Sequence, residues 1–158
     1  MNEFEIRSIV DAVVQRVTTD SDITLERAKA LSERVRQKAR QMGVNAVVAV
    51  TNRAARPVLI ECMDNSYIAS YDIALNKAFT VVSLKMSTSK LKNLARPNGS
   101  LYGIQFTNEG KIVVFGGGEP LESADGRVIG GLGVSGGTEE QDTALAEYGK
   151  KIFQKGEV

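Results

Sequence analysis

The chain contains no histidine and only one cysteine, Cys62. Without histidine, neither a Ser-His-Asp nor a Cys-His nucleophile can form, and a histidine-ligated zinc site is excluded. A single cysteine excludes an internal disulfide and is typical of a protein from a reducing compartment. Since side-chain ligands for a transition metal are also scarce, we predict no catalytic residue and no metal site. An enzyme is therefore the less favoured class.

The sequence also lacks long apolar runs and a strong excess of either charge. No segment approaches the roughly 20 apolar residues that a membrane-spanning helix needs, and the first residues lack the features of a secretory signal. The net charge is +1. The basic stretch 27–40 has no interleaved aromatic residues, so nucleic-acid binding is not predicted. We expect a cytoplasmic protein without membrane or nucleic-acid partners.

Apolar periodicity predicts two helices at the start of the chain. Over residues 1–17, apolar side chains recur at helical spacing from Ile6 onward while charged side chains occupy the other faces, which is typical of an amphipathic helix. A polar linker, 18–23, precedes a second helix that begins near Thr24 and ends at Gly43. The pattern leaves open whether the first helix packs on the protein's own core or on another protein.

The rest of the sequence alternates short strands and helices. Strands are predicted at 46–51, 57–62, 101–107, 111–115 and 127–134, and helices at 67–83, at 88–94 with Thr88 as its cap, and at 139–154. Tight turns join several of these strands, without regular helical crossovers between them. We therefore predict an α/β (α+β) fold with an antiparallel sheet flanked by helices.

Nine of the 15 glycines lie between Gly116 and Gly137. Glycine adopts positive φ without strain and lets backbone amides approach a ligand or a second chain closely. Because this freedom costs entropy on folding, so dense a run predicts a binding loop rather than plain packing. A G-x-G-x-x-G pattern at 131–136 is not a dinucleotide site, since too little chain follows for a second parallel strand.

Four motifs in fixed order carry a more specific signal. They are Ala74-x-x-Lys77-Ala78-x-Thr80, Leu101-Tyr102-Gly103, Gly116-Gly117-Gly118-x-Pro120 and Gly130-x-x-Gly133-Val134-Ser135-Gly136-Gly137-Thr138-x-x-Gln141-Asp142. The chain resembles the GlcG/HbpS family (haem-degrading, DUF336), which includes the C-terminal domain of PduO-type corrinoid adenosyltransferases. The sequence of these motifs is similar to that of relatives associated with diol and glycerol dehydratase genes. We assign residues 24–158 to this domain.

The resemblance implies a profilin-like fold and a dimer-based homo-oligomer, with assemblies up to an octamer. It also implies an accessory protein that binds a small anionic or tetrapyrrole-type ligand, haem or corrinoid, in microcompartment-based diol or glycerol metabolism such as propanediol utilization. An enzyme acting on corrinoid or haem and a non-catalytic assembly protein remain alternatives. Without histidine, haem iron would need a tyrosine, Cys62 or Met63 as its ligand.

The predicted ligand-binding residues come from the lysine motif and the glycine motifs. They are Lys77, Gly116, Gly117, Gly118, Ser135, Gly136, Gly137 and Asp142. Lys77 lies among inward-facing positions, where its amine needs a carboxylate, a carbonyl oxygen or a ligand as partner. Residues 135–137 precede a helix whose first amides would attract an anion. Thr138 and Gln141 form a predicted capping box.

The N-terminal helix, residues 1–17, lies outside the family resemblance. It is similar to the encapsulation peptides that bring proteins into bacterial microcompartments, where an amphipathic helix packs against a shell or cargo protein. This similarity implies a shell or cargo partner and a location in the microcompartment lumen.

Overall fold

The computed structural model of the chain describes residues 1–19 and 21–158, the side chains of residues 15–19 excepted. The helices are α1 (Glu3–Thr19), α2 (Leu25–Gln41), α3 (Ser70–Leu84), α4 (Thr88–Ala95) and α5 (Glu139–Gln154). The strands are β1 (Val47–Asn52), β2 (Pro57–Cys62), β3 (Gly118–Glu122) and β4 (Val128–Ser135). Asp20 of the predicted linker 18–23 lies outside the described residues. Among the described helices, none has the length and apolar character needed to cross a lipid bilayer.

The strands form one antiparallel sheet in the order β2-β1-β4-β3. Alternate residues of β1 face opposite sides of the sheet. Val48 and Val50 join the larger core, which lies under α2 and α5. Val47 and Ala49 pack against α3 on the other side. The predicted α/β class with an antiparallel sheet flanked by helices is confirmed.

Local signals explain most helix ends. The Oγ1 atom of Thr24 accepts a hydrogen bond from the Arg27 amide at the start of α2, and Gly43 follows the helix with φ +69°. The prediction that Thr88 caps α4 is wrong. Ser87 is the cap and accepts from the Lys90 amide, because the Thr88 hydroxyl accepts a hydrogen bond from the Gly118 amide.

The predicted strands 101–107 and 111–115 are wrong. This segment forms two short 3-10 turns, Ile104–Phe106 and Asn108–Gly110, followed by irregular chain. The Thr80 hydroxyl of α3 donates to the Asn76 carbonyl oxygen of its own helix at 2.7 Å and accepts from the Val113 amide at 3.0 Å. The Val113 amide is therefore bonded to a side chain of α3 and not to a neighbouring strand. The fourth strand, β3, instead lies at the start of the glycine-rich stretch.

Helix α1 contributes nothing to the core through its described side chains. Its six large apolar side chains among residues 1–14 are between 45% and 83% exposed. They are Phe4, Ile6, Ile9, Val10, Val13 and Val14. As far as residue 14, where its side chains are described, the apolar face of α1 is exposed and is not part of the core on the sheet.

Candidate functional site

Strand pairing brings the two ends of the glycine-rich stretch together. In the antiparallel pair of β3 and β4, Gly118 lies opposite Gly133. Just beyond this pair, the Val134 amide donates a hydrogen bond of 2.8 Å to the Gly117 carbonyl oxygen. Residues 116–118 and 134–137 therefore lie side by side at the end of the sheet where α5 begins.

Lys77 enters this region from α3 and is fully buried. Its Nζ atom donates to the Val134 carbonyl oxygen at 2.8 Å and to Asp142 Oδ2 at 2.9 Å. The ring centroid of Phe115 lies 5.0 Å from the same nitrogen. Burial lowers the pKa of Lys77, while the charge of Asp142 opposes that shift. The amine thus has an internal carboxylate and an internal carbonyl oxygen as its partners.

Asp142 links the lysine to the start of α5. While Oδ2 accepts from Lys77, Oδ1 accepts from the Gly137 amide at 2.9 Å. The predicted capping box of Thr138 and Gln141 is present, and Gln141 Oε1 accepts from the Thr138 amide at 2.9 Å. The amides of Gly137, Thr138 and Gln141 therefore already have acceptors within the chain. An incoming anion would have to compete with a buried carboxylate for the amide of Gly137.

Close packing by the protein's own elements accounts for two of the glycines. A Cβ atom at Gly133 would lie 1.9 Å from the Ala74 carbonyl oxygen of α3. At Gly117, φ is +111° and a Cβ atom would lie 2.6 Å from Lys77 Nζ. Both contacts are too short for any side chain. The density of glycine here lets α3 and its lysine approach the sheet backbone directly.

An ion pair between Glu139 of α5 and Lys92 of α4 lies next to Gly116. Neither residue is among the predicted site residues. Glu139 Oε1 accepts from the Gly116 amide at 2.9 Å, and Glu139 Oε2 lies 2.7 Å from Lys92 Nζ. The hydrogen bond from Gly116, assisted by Lys92, holds the pKa of Glu139 below its usual range. In the sequence, Lys92 is indistinguishable from a solvated surface lysine, because α4 and α5 are brought together only by the fold.

The eight predicted site residues cluster, but most of them are closed to solvent. Six are buried and two, Gly136 and Gly137, are partly or fully exposed. The buried six are Lys77, Gly116, Gly117, Gly118, Ser135 and Asp142. The two exposed glycines line a cavity of about 450 Å³ together with Asn45 and Asn65. The accessible part of the predicted site is therefore this rim.

A second cavity of about 370 Å³ shares Asn45 and Asn65 with the first and contains Cys62. The thiol is exposed, and Arg36 and Arg40 line the same cavity. The guanidinium of Arg36 is paired with Glu33 and with Glu61, where Nε lies 2.8 Å from Oε2 without hydrogen-bond alignment. Arg40 is 54% exposed, with its nearest carboxylate oxygen 3.8 Å away.

Met63 and the carboxylates are the other side chains that could bind a metal ion. The Met63 sulfur already accepts a contact of 3.3 Å from the Ala46 amide. Within residues 1–19 and 21–158, no group of three or more cysteine, aspartate or glutamate side chains is arranged to hold a metal ion. Cys62 is therefore the accessible soft ligand of this region.

Residues 23–151 match the family described as haem degrading protein HbpS-like. The chain belongs to this HbpS-like family. The match includes the lysine motif, both glycine segments and the start of α5, and it excludes α1. The predicted resemblance is therefore confirmed.

This HbpS-like chain is similar to several known proteins. It is 42% identical over 133 residues to an uncharacterized 15.0 kDa protein in the dhaT-dhaS intergenic region of Citrobacter freundii, covering 84% of this chain and 93% of that protein. It is 34% identical over 130 residues to the corrinoid adenosyltransferase PduO of Salmonella typhimurium, covering 82% of this chain but 38% of PduO. The solved complex of PduOC with heme has a TM-score of 0.78 and 32% identity, and the alignment covers 82% of this chain and 94% of that one.

Proposed function

We propose that this HbpS-like chain is an accessory protein that binds a tetrapyrrole, with haem as the first candidate and corrinoid as the second. The complex of its relative PduOC with heme supports the ligand class. The observation that carries the proposal for this chain is the exposed thiol of Cys62 beside Arg36 and Arg40. PduO supports an association with corrinoid, but the chain spans only 38% of PduO, so its adenosyltransferase activity is not transferred.

The donor set around Cys62 fits haem although the chain has no histidine. A cysteine thiolate is an established axial ligand of haem iron. Guanidinium groups bind carboxylates, such as the haem propionates, through paired hydrogen bonds. Arg40 is the better candidate for this role because Arg36 is already engaged by two glutamates. Lys77 is fully buried and has no exposed donor for a propionate.

The test is a haem titration of the purified protein followed by absorbance, with cobalamin as a parallel probe. We expect a saturable, stoichiometric haem complex whose Soret band moves and whose affinity falls about tenfold or more in Cys62→Ser. Arg40→Gln should weaken binding without moving the band, because it removes a carboxylate partner and not the iron ligand. Arg53→Gln, an exposed arginine in the β1–β2 turn, is the matched control. An unchanged spectrum in Cys62→Ser would contradict this assignment.

The same titration separates the alternatives. Saturable cobalamin binding without haem binding would favour corrinoid. Conversion of either ligand, for example ATP-dependent turnover of corrinoid, would favour the enzyme alternative. Absence of both, beside a stable large oligomer in light scattering, would favour an assembly protein. We propose a dimer-based homo-oligomer, and light scattering measures its size directly.

A second proposal concerns α1, whose exposed apolar face supports a docking role. We infer that α1 packs against a shell or cargo protein and brings the chain into a microcompartment. The six exposed apolar side chains give that face the surface that such contacts need. The similarity to encapsulation peptides supplies the partner class.

Enclosure in microcompartments tests this docking role. We expect deletion of residues 1–20 to abolish enclosure, and Val10→Gln with Val13→Gln to reduce it strongly. Asp11→Asn, on the charged face of the same helix, should leave enclosure unchanged. Enclosure of the truncated protein at the normal level would contradict the proposal.

A further inference from the structure

The cavity of about 450 Å³ beside the start of α5 has an unusual lining for so charged a chain. One quarter of the residues in the sequence are charged, yet the described residues that line this cavity include none. It is formed by the segments 43–45 and 136–138 together with Asn65, Tyr67 and Gln141. Its volume lies within the range of sites for small molecules, which is about 300–1,000 Å³.

The floor of this cavity is bare backbone. A Cβ atom at Gly136 would lie 2.3 Å from the Asn45 carbonyl oxygen, so no side chain can cover the floor at this position. The neighbouring amides do not attract an anion, because that of Gly137 donates to Asp142 and that of Thr138 donates to Gln141. The described residues that line this cavity include no cationic side chain, so an anionic ligand would have no counter-charge there. A negatively charged ligand is therefore disfavoured.

The walls offer uncharged polar groups and one aromatic ring. Among the described residues, the carboxamides of Asn45 and Asn65 have no hydrogen-bond partner, and each can both donate and accept. Tyr67 contributes a ring that is 72% exposed and therefore free to pack against a ligand. Hydroxyl groups also donate and accept, and the C–H faces of a polyol can pack on an aromatic ring. The lining thus matches a ligand with several hydroxyl groups and no charge.

We infer that this cavity binds a neutral, hydroxyl-rich small molecule and discriminates against the corresponding carboxylate. The inference is independent of haem binding, since Cys62, Arg36 and Arg40 do not line this cavity. A negative haem titration would leave it intact, and a negative polyol titration would leave the haem proposal intact.

Sorbitol and gluconate form a matched pair of probes, because both are six-carbon chains of hydroxyl groups and only gluconate carries a carboxylate. We would titrate each into ¹⁵N-labelled protein without haem and follow the amides of Gly136 and Gly137 and the carboxamides of Asn45 and Asn65. Sorbitol should move these signals saturably, and its affinity should exceed that of gluconate about tenfold or more. Equal or tighter binding of gluconate, or no saturable shift with sorbitol, would overturn the inference.

A tyrosine pair supplies the structural control. Tyr67 is 72% exposed and Tyr102, which lies outside this cavity, is 65% exposed, so neither substitution by alanine should disturb folding. Tyr67→Ala should weaken sorbitol binding about threefold to tenfold through loss of ring contact. Tyr102→Ala should leave it unchanged. Equal effects of the two variants would refute a specific site, as would shifts that depend on protein concentration and not on sorbitol.

Discussion

Helices α1 and α2 are each 17 residues long and both carry an apolar stripe, yet the fold treats them differently. In α2 the stripe is covered by the sheet and α5, and Leu31, Val35 and Ala39 are completely buried. In α1 the corresponding side chains, such as Ile9 and Val13, remain about half exposed. Periodicity predicts a helix and its apolar face in both cases. It does not say which surface will cover that face.

The helix starts do not explain the difference. At α1, Asn2 Oδ1 accepts from the Glu5 amide while Glu5 Oε2 accepts from the Asn2 amide, each at 2.9 Å. At α2, the Thr24 hydroxyl accepts from the Arg27 amide at 3.2 Å. Both helices are therefore capped by local hydrogen bonds. Since most helical stability in proteins comes from packing of the apolar face, the part of α1 whose side chains are described, up to residue 14, lacks the contribution that α2 receives.

The largest expected effect is at the centre of the α2 stripe. Leu31→Ala should lower the free energy of unfolding by about 2–5 kcal/mol, because it leaves a cavity in a fully buried site. Urea unfolding followed by circular dichroism measures this loss. A loss below about 1 kcal/mol would mean that α2 is less tightly packed than the structure describes.

Substitutions at the N-terminal caps of α2 and α1 should have effects of intermediate size on the unfolding free energy. Thr24→Ala should cost about 1 kcal/mol of unfolding free energy, because α2 unfolds with the core. Asn2→Ala removes the equivalent acceptor from α1 and should reduce helix content there without shifting the unfolding midpoint. Chemical unfolding and residue-resolved NMR shifts distinguish the two results. A common loss of global stability would show that both helices belong to one cooperative unit.

The stability of the folded domain should depend on pH in part through Glu139. Its pKa in the folded protein lies below the ordinary value of 4.5, so its stabilising contribution is present above that pH and is lost as the pH falls through the folded pKa. Glu139→Gln should therefore reduce stability by about 0.5–1 kcal/mol near neutral pH. The difference should disappear in acid. Unfolding curves as a function of pH measure it, and a difference independent of pH would contradict the assignment.

The smallest effect is expected on the exposed stripe. Ile9→Ala, on a side chain that is 52% exposed, should change the unfolding free energy by less than about 0.5 kcal/mol. The same urea experiment provides the comparison with Leu31→Ala. A loss above 1 kcal/mol would mean that a surface of this chain or of a second copy covers α1.

Local chemistry made several elements predictable from sequence. The strand 57–62 and the helix 139–154 have the predicted bounds, because a turn precedes the strand and a capping box starts the helix. The segment 101–115 was mispredicted although its local pattern resembles a strand; its Val113 amide donates instead to the Thr80 hydroxyl, more than 20 residues earlier in the chain. Such long-range partners leave no local signal.

The eight predicted site residues meet at the glycine-rich stretch. Its openness could not be predicted, because glycine permits close approach by a ligand and by a neighbouring helix equally well. At Gly133 the neighbour is α3, and at Gly117 it is Lys77. Cys62 carries no pattern of its own, and only the fold places it beside Arg36 and Arg40. Exposure, and not residue type, therefore separates packing from binding here.

Native-state hydrogen exchange, resolved by residue over 3–19 and 25–41, tests most directly the claim that the partner of α1 lies outside this chain. In the purified protein, the account predicts fast exchange throughout α1 and protection of α2 that approaches the global unfolding free energy. Equal strong protection of both helices would contradict it, because the apolar face of α1 would then already be covered by this protein or by a second copy.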